Sequence, residues 1–268
     1  MKTTTRFIFG LFFTFIVIGV IALTAGLTMG ARPEQFLNID LAERGLSLFR
    51  VGSRQLPALA DIQEPEKEKR FLAEAIEELK ISVASGKVEI YSTTGEEIIC
   101  YSNREDTIYH QKGNRFILED KELDTPIRLK IYLPARVYKE AEMELGACRV
   151  TIDQLMTEEL SLELGAGRLE AAQLNAGKSM RIQVGAGTVE AARCRAENLD
   201  LECGIGSLKV CLEGKEDDYD YRLECGIGTI LLGKEAFSGI GGEKQINNGT
   251  GRQVNAECGM GRMAISFE

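Results

Sequence analysis

LECGIGSLKV, at residues 201–210, returns almost unchanged as LECGIGTI at residues 223–230. Glycine-rich turns of this kind have two uses: they cradle phosphates, or they let a chain turn a corner. These units lack the third glycine of a dinucleotide-binding turn, and the sequence has no GxxxxGKS or GxxxxGKT motif. The repeat therefore favours a structural corner and argues against a nucleotide-binding enzyme.

The unit occurs six times from Glu142 onward, as EMELGACRVTI, LSLELGAGRLEA, MRIQVGAGTVEA, LDLECGIGSLKV, YRLECGIGTILL and VNAECGMGRMAI. The first glycines, at spacings of 19, 20, 19, 22 and 33 residues, are Gly146, Gly165, Gly185, Gly204, Gly226 and Gly259. The second glycines, from the second copy onward, are Gly167, Gly187, Gly206, Gly228 and Gly261. ISVASGKVEI, around Gly86, resembles a degenerate earlier copy. Repetition at a nearly fixed period indicates a repeat architecture.

Apolar residues change phase at each corner. Leu201 and Cys203 alternate with polar residues before the fourth corner, whereas Leu208 and Val210 continue one position out of phase after it. A flat strand keeps a period of two, so the shift indicates a bend with both arms facing one interior, and Ile205 is expected to face it too. We predict an all-β fold, a single-stack β-solenoid with coils of 19–22 residues and Gly-x-Gly corners, stacked by parallel hydrogen bonding about 4.8 Å apart.

Stacking predicts that equivalent positions form ladders. The residue between the two glycines changes along the chain from alanine to a larger side chain, and the residue before them changes from leucine or valine to cysteine. The first set is Ala147, Ala166, Ala186, Ile205, Ile227 and Met260, and the second is Leu145, Leu164, Val184, Cys203, Cys225 and Cys258. We interpret the two trends as compensating volumes in a common interior.

Three of the seven cysteines, Cys203, Cys225 and Cys258, occupy this one ladder. CxxC pairs, the usual zinc signal, are absent from the sequence. We predict buried thiols that pack as small apolar side chains. A disulfide between neighbouring coils is the alternative, although the odd count leaves at least one thiol unpaired. No metal and no cofactor are predicted.

Acidic residues stand two positions before the first glycine in five of the six copies. They are Glu144, Glu163, Glu202, Glu224 and Glu257, and Gln183 takes the position in the third copy. In a stack they form an outward ladder of like charges, which repel at such spacing. Arg181 and Arg222 are placed to relieve this repulsion diagonally. One interpretation is a solvated face with local pairing; the other is a strip that binds cations or a basic partner.

Residues 7–29 carry no charge and are long enough to cross a membrane as a helix. Lys2 and Arg6 precede this segment, so the positive-inside rule predicts a single-pass membrane protein with a cytoplasmic N-terminus and an extracellular C-terminal domain. We expect an uncleaved signal anchor, with a cleaved signal peptide as the alternative. The net charge of −9 argues against nucleic acid as a partner.

The chain divides into three parts. Residues 1–30 are the predicted cytoplasmic tip and transmembrane anchor, residues 31–79 a stalk, and residues 80–268 the β-solenoid, with clear repeats over 142–268. Within the stalk, EPEKEKRFLAEAIEELK, at 64–80, places its apolar residues on one helical face. We predict a short amphipathic helix there that covers an end of the next domain.

The run from about Ile127 to Glu268 resembles a bacterial domain family of unknown function called putative adhesin. The resemblance rests on IRLKIYLPARVYKEAEMELGACRVTI, on the LGAG, VGAG and CGIG units, and on the ending SGIGGEKQINNGTGRQVNAECGMGRMAISFE. It implies a β-solenoid that is often attached to a membrane. It supplies no catalytic residues.

These features predict a non-catalytic, membrane-anchored extracytoplasmic binding or scaffold protein of the bacterial cell envelope. Its expected partner is an unidentified protein or a cell-envelope glycan, and an open final coil at MAISFE offers an edge for self-association. One alternative is a regulatory or envelope-sensing module that contacts another membrane protein. A glycan-active β-helix enzyme is less favoured, because it requires convergent carboxylates beside an aromatic or basic cleft, and the aromatic residues, 7% of the chain, mostly alternate inward.

Overall fold

The computed structural model describes residues 67–268, apart from the side chains at positions 239 and 240. Its strands are β1 Lys67–Leu72, β2 Glu78–Thr93, β3 Glu97–Ser102, β4 Ile108–Lys112, β5 Arg115–Asp120, β6 Ile127–Pro134, β7 Val137–Arg195, β8 Asn198–Leu212, β9 Asp220–Leu232, β10 Glu235–Ile246 and β11 Gln253–Phe267. A single turn of 3₁₀ helix, Glu216–Asp218, separates β8 from β9. The all-β class predicted from the repeats is confirmed for this part of the chain.

Hydrogen bonding joins the described strands into one sheet in the order β1-β3-β6-β2-β7-β8-β11-β9-β10, with β5 also paired to β2 and β4 to β5. The run β2, β7, β8, β11 and β9 is parallel throughout, and it is called the stack below. β10 returns antiparallel along β9. Because the register within the stack is residue to residue, equivalent positions of the repeats lie side by side.

The corners of neighbouring repeats lie in direct backbone contact. Gly206 has a φ of +137°, and a Cβ added there would lie 2.0 Å from the carbonyl oxygen of Gly187. Gly167 has a φ of +117°, and its Cβ would lie 2.0 Å from the carbonyl oxygen of Cys148. An L side chain fits neither this backbone conformation nor the gap. Glycine is therefore required at these corners because backbone stacks on backbone.

The last strand in the sequence does not lie at the end of the stack. β11 pairs on one side with β8, where Glu257 faces Glu202, and on the other side with β9, where Glu257 faces Glu224. The expectation of an open final coil at MAISFE is therefore wrong, because both edges of β11 are hydrogen-bonded. The described sheet ends at β10 on this side.

The interior is filled by the alternating apolar positions on both arms of each corner. Leu201, Cys203, Leu208 and Val210 are all at most 2% exposed, as predicted. The prediction that Ile205 faces this interior is wrong, since it is 49% exposed, and its counterpart Ile227 is 65% exposed. The bend turns the residue between the glycines outward, so the proposed compensation of volumes inside the core is also wrong.

The predicted amphipathic helix in the stalk is also wrong for residues 67–79. Residues 67–72 form β1, which pairs antiparallel with β3, and a turn follows in which Ile76 N–H donates to the Ala73 carbonyl at 3.0 Å. The Arg136 guanidinium donates to the carbonyls of both residues. Pairing of β1 with the edge of β3, together with the hydrogen-bonded turn, stabilises this segment more than its weak preference for a helix would.

The proposed transmembrane segment at residues 7–29 lies outside the described residues, as does the rest of the chain before Lys67. None of the helices within residues 67–268 has the length and apolar character needed to span a membrane.

Candidate binding surface

The predicted acidic residues do form one continuous row on the outer face of the stack. Parallel register and the stacked corners place them in the order Glu144, Glu163, Gln183, Glu202, Glu257 and Glu224. The five glutamates of this row are called the acidic ladder. Its order differs from the sequence order, because the insertion of β11 puts Glu257 between Glu202 and Glu224.

One further carboxylate extends the ladder. Glu243 of β10 pairs in register with Glu224 of β9. Sequence reasoning missed it because β10 runs antiparallel and carries no copy of the repeat, although Gly239 and Gly242 in SGIGGEKQI give a faint signal of a corner.

Basic side chains neutralise the two ends of the ladder and leave its middle uncompensated. Lys80 lies 3.1 Å from a carboxylate oxygen of Glu144, and Arg222 lies 2.8 Å from one of Glu224 and 3.4 Å from one of Glu243. Arg181, expected to help, pairs instead with Asp200 at 3.1 Å. Exposed pairs of this kind contribute little stability, so their main effect is on the local charge.

Glu163 and Glu257 form no ion pair within residues 67–268. Partial burial raises the pKa of the Glu163 carboxyl, and the carboxylates of Glu144 and Glu202 raise it further. Partial burial likewise raises the pKa of Glu257, together with Glu202 and Glu224. Burial and the crowding of like charges therefore both make ionisation of these two carboxyl groups less favourable, and a cation placed beside either of them would offset that cost.

A cavity of about 420 Å³ lies beside the β2 end of the ladder. It is lined by Ser82, Val83, Ala84, Asp120, Lys121, Leu123, Glu144, Leu145, Gly146, Glu163 and Gly165. Its floor is the corner backbone of β2 and β7, and one wall is the segment that follows β5. Ser85 Oγ, which donates to the Leu123 carbonyl at 3.1 Å, ties this segment down.

Asp120 is the most buried acidic residue of the cavity lining, with 1% of its side chain exposed. Its Oδ1 accepts the backbone N–H of Glu122 at 3.1 Å and lies 3.7 Å from Arg104. Its Oδ2 has no hydrogen-bond partner within the described residues. Burial raises the pKa of this carboxyl. The cavity could not be found from the sequence, because it depends on where the segment after β5 lies against the stack.

The cysteine ladder is present and buried, and all seven cysteines are free thiols. Cys258 lies in register between Cys203 and Cys225. The contact with Cys258 and burial both raise the pKa of the Cys203 thiol. Burial also raises the pKa of Cys100 and of Cys194 to about 12 each, which leaves those thiols protonated and unreactive.

No cluster of three or more histidine, cysteine or acidic side chains within residues 67–268 is arranged to hold a metal ion. The ladder carboxylates stand in a row along the stack. An acid and base pair of a glycosidase instead converges on one bond from two sides.

Apolar side chains line the outside of the last corners, next to the acidic ladder. Ile205 pairs in register with Met260, and the stacked corner glycines place Ile227 on the other side of Met260. These three residues are called the corner ridge. Exposed isoleucines in a row make the C-terminal end of the ladder a mixed apolar and acidic surface.

Comparison with known proteins gives few relatives. No family model matches the chain, and no curated protein matches it. One similar solved structure is a putative cell adhesion protein from Clostridium sporogenes, 14% identical, with a TM-score of 0.39 and coverage of 76% of this chain and 100% of that one. Another is a putative adhesin from Bacteroides fragilis, 12% identical, with a TM-score of 0.35 and coverage of 74% and 96%. These identities are too low to carry a ligand or a partner over to this chain.

Proposed function

We propose that the chain is a non-catalytic, membrane-anchored binding or scaffold protein, adhesin-like in its mode of action. Its β-solenoid would lie outside the cytoplasm and present the acidic ladder to a basic protein or a cationic component of the cell envelope. The ladder is the observation that carries this proposal. Its carboxylates are held in register by the backbone, and Glu163 and Glu257 form no ion pair with any residue of 67–268.

The physical reason is electrostatic. Like charges on neighbouring strands repel and destabilise the folded chain. A partner with cations at a matching spacing removes this repulsion and gains several contacts at once, so weak single contacts add up along the row. A row of carboxylates whose middle members are uncompensated is therefore better suited to a repetitive or extended cationic partner than to a small anion.

The membrane attachment is supported by the sequence. Residues 7–29 are uncharged, and Lys2 and Arg6 precede them. The test uses intact cells that express the full chain with a small tag at each end. External protease should remove the C-terminal tag and leave the N-terminal one, and protection of both tags would overturn the extracytoplasmic location.

The binding test compares the full chain with its Glu202→Gln/Glu224→Gln variant on immobilised polylysine and on a neutral glycan of the cell envelope. We expect the wild type to bind polylysine, the variant to bind several-fold more weakly, and salt to weaken both. Glu170→Gln is the matched control, since Glu170 pairs with Arg168 on the other arm of a corner. Equal binding by all three proteins would overturn the role of the ladder.

A second candidate is a regulatory module that acts on another membrane protein. The corner ridge favours it, because exposed apolar side chains beside charged ones are typical of protein contact sites. A photo-crosslinking residue at position 227, in cells that express the full chain, tests this function. A single discrete crosslinked membrane protein would support it, and crosslinks only to glycan would contradict it.

A further inference from the structure

We propose that β11 is an exchangeable strand, and that Asp220 is the latch that keeps it in its own chain instead of in a second copy of this chain. The gap that β11 fills between β8 and β9 is called the slot, and the loop that leads into it, residues 247–252, is called the strap. The inference goes beyond the proposed function, although exchange would place Glu257 of the second copy within the acidic ladder.

The strap crosses the beginning of β9. It leaves β10 at Ile246, which is paired with Tyr221, and it enters β11 at Gln253, which is paired with Asp220. The chain therefore passes from one side of β9 to the other, over a distance of two strand spacings, roughly 10 Å. The place of β11 in the slot of its own chain depends on this crossing.

A single carboxylate holds the middle of the strap. The Asp220 side chain accepts four consecutive backbone N–H groups, those of residues 248–251, at 2.6, 2.8, 3.5 and 3.2 Å. A Cβ added at Gly249 or at Gly251 would meet nothing within 4 Å, so packing does not hold these positions. Removal of the Asp220 carboxylate therefore releases four backbone groups of the strap at once.

The residue before Asp220 anchors the strap as well. Arg252 lies over the Tyr219 ring, 4.1 Å from its centre, and donates to the Tyr219 hydroxyl at 2.6 Å. Asn248 Nδ2 donates to the Tyr219 carbonyl at 2.7 Å. Tyr219 is fully buried, whereas Asp220 is only half-buried. Asp220 is therefore the part of the latch that can be replaced without disturbing the core.

The slot is the same in every copy of the chain. β11 is paired along both edges. Its inward residues, each at most 2% exposed, are Val254, Ala256, Cys258, Met263 and Ile265. An empty slot would leave two unpaired strand edges and an open core, which are unfavourable in water. The β11 strand of a second copy would make all of these contacts, and only the strap, which must extend to reach the second copy, would lose its own.

The balance between the closed and the exchanged forms therefore depends on the strap. Because the strand contacts are the same in both forms, they cancel. The closed form is favoured by the contacts of the strap with Asp220 and Tyr219, and by the high effective concentration of a strand on a short tether. Loss of the Asp220 contacts should shift this balance toward exchange.

Addition of a second copy to the outer edge of β10 fits less well. Glu235 and Lys244 of β10 are paired with each other at 3.0 Å, and they lie opposite the buried Leu232 and Leu223 of β9. These charges occupy positions on the inward face of the last strand, and inward charges at a sheet edge oppose the addition of another strand. The slot is therefore the better site for a second copy.

The experiment mixes equal amounts of heavy-isotope and ordinary full-length chain in detergent, both grown with photo-methionine. Met263 is buried in β11, where it is paired with Leu208 of β8 and with Ile230 of β9. Crosslinks from this position therefore report which slot β11 occupies. Mass spectrometry sorts them into unmixed pairs, with both peptides light or both heavy, and mixed pairs, which require β11 to lie in the slot of another copy.

We expect few mixed pairs from the wild type. The Asp220→Ala variant should give at least about tenfold more, because hydrogen bonds to a charged group contribute on that scale. Asp218→Ala is the matched control: its carboxylate also accepts a backbone N–H, that of Lys215 at 2.8 Å, but the loop it holds precedes β9 instead of β11. Its yield of mixed pairs should stay within about twofold of wild type.

Hydrogen exchange distinguishes strand exchange from simple detachment of β11. In the exchanged form the slot stays filled, so amides of β9 should keep their protection in Asp220→Ala while amides 248–251 lose theirs. Loss of protection in β9 without a rise in mixed pairs would mean detachment and would overturn the proposal. Equal yields of mixed pairs from the wild type and Asp220→Ala, or from Asp218→Ala and Asp220→Ala, would overturn it too. None of these results bears on polylysine binding by the acidic ladder, which is tested separately.

Discussion

The two ends of the stack repeat the same backbone corner under different side chains. Near β2 the corners carry Ala147 and Ala166 at their tips with leucine before the first glycine, and the segment after β5 lies beside them to form the cavity. Near β9 the corners carry isoleucine at their tips with cysteine before the first glycine, and the tips are exposed.

This difference shows which positions of the repeat the fold requires and which are free to vary. The backbone of the corner is the same at both ends because the corners of neighbouring repeats stack on one another. The tip residue points outward, so it changes without any adjustment inside. One end of the row can therefore form a cavity and the other an apolar ridge on a single scaffold.

The largest effect is expected from deleting residues 253–268. This deletion removes β11 and disrupts the β9 end of the stack, while the β2 end keeps all its strands. β9 loses its parallel partner and β8 keeps only β7, so amides of β9, Asp220–Leu232, should lose protection in hydrogen exchange measured by mass spectrometry. Amides of β6, Ile127–Pro134, at the other end should keep theirs. Retained protection of β9 would show that β11 is not required between the two strands.

Gly206→Ala should lower the free energy of unfolding by about 4 kcal/mol or more, since it combines a disfavoured φ with a backbone clash. Gly167→Ala should cost as much, because the corner at the other end is alike. Gly249→Ala is the control: its φ is +72°, but nothing lies within 4 Å of the added Cβ, so we expect about 1–2 kcal/mol. Urea denaturation checks all three, and similar costs for Gly206 and Gly249 would contradict backbone stacking as the cause.

Leu208→Ala should cost about 3 kcal/mol, because it leaves a void in a closed core. Ile205→Ala removes a similar volume from the corner tip and should change stability by less than about 0.5 kcal/mol, as surface substitutions do. Thermal unfolding of the two variants compares the inner and outer positions of one corner directly. A large loss for Ile205→Ala would mean that the tips pack against something after all.

The smallest effect concerns the charges of the ladder. Glu257→Gln should raise the free energy of unfolding at pH 7 by about 0.5 kcal/mol, since a carboxylate between two others is removed. Gln183→Glu should lower it by a similar amount, because it fills the one neutral position and replaces the 2.8 Å hydrogen bond from Gln183 to Glu202.

The pH dependence of this gain has a definite sign. The folded state raises the pKa of Glu257, so protonation of this carboxyl favours folding. That stabilisation is fully present below the pKa of Glu257 in the unfolded chain, and it is lost as the pH rises through the pKa in the folded chain. The advantage of Glu257→Gln should therefore appear at neutral pH and disappear in acid. Denaturation curves at pH 7 and at about pH 3, below the reference pKa of glutamate, check this, and an equal gain at both values would point to a cause other than charge.

The residues that face the interior, and those that align between repeats, could largely be predicted from the sequence. The period-two alternation around Leu201 and Cys203 predicted the inward positions, and the repeat spacing predicted which glutamates and cysteines align. The inward positions depend only on neighbouring residues, and the aligned residues depend only on the similarity of the repeats. Both can be read from the sequence.

The strand order could not be predicted in the same way. VNAECGMG matches LDLECGIG and YRLECGIG equally well, so the same ladders result whether β11 lies last or between β8 and β9. The cavity was missed for a related reason, since the segment after β5 and the corners of β7 that line it are far apart in the chain and come together through the fold alone. The stalk helix failed because the partner of β1 is a strand some 30 residues later.

The place of β11 also has a consequence for how the protein is made. During synthesis the N-terminal parts of a chain emerge and fold first, so β8 and β9 exist before residues 253–267 have been translated. Until then each of the two strands has one unpaired edge, and such edges are templates for aggregation. A chain that stops before residue 253 would therefore leave β8 and β9 each with one unpaired edge.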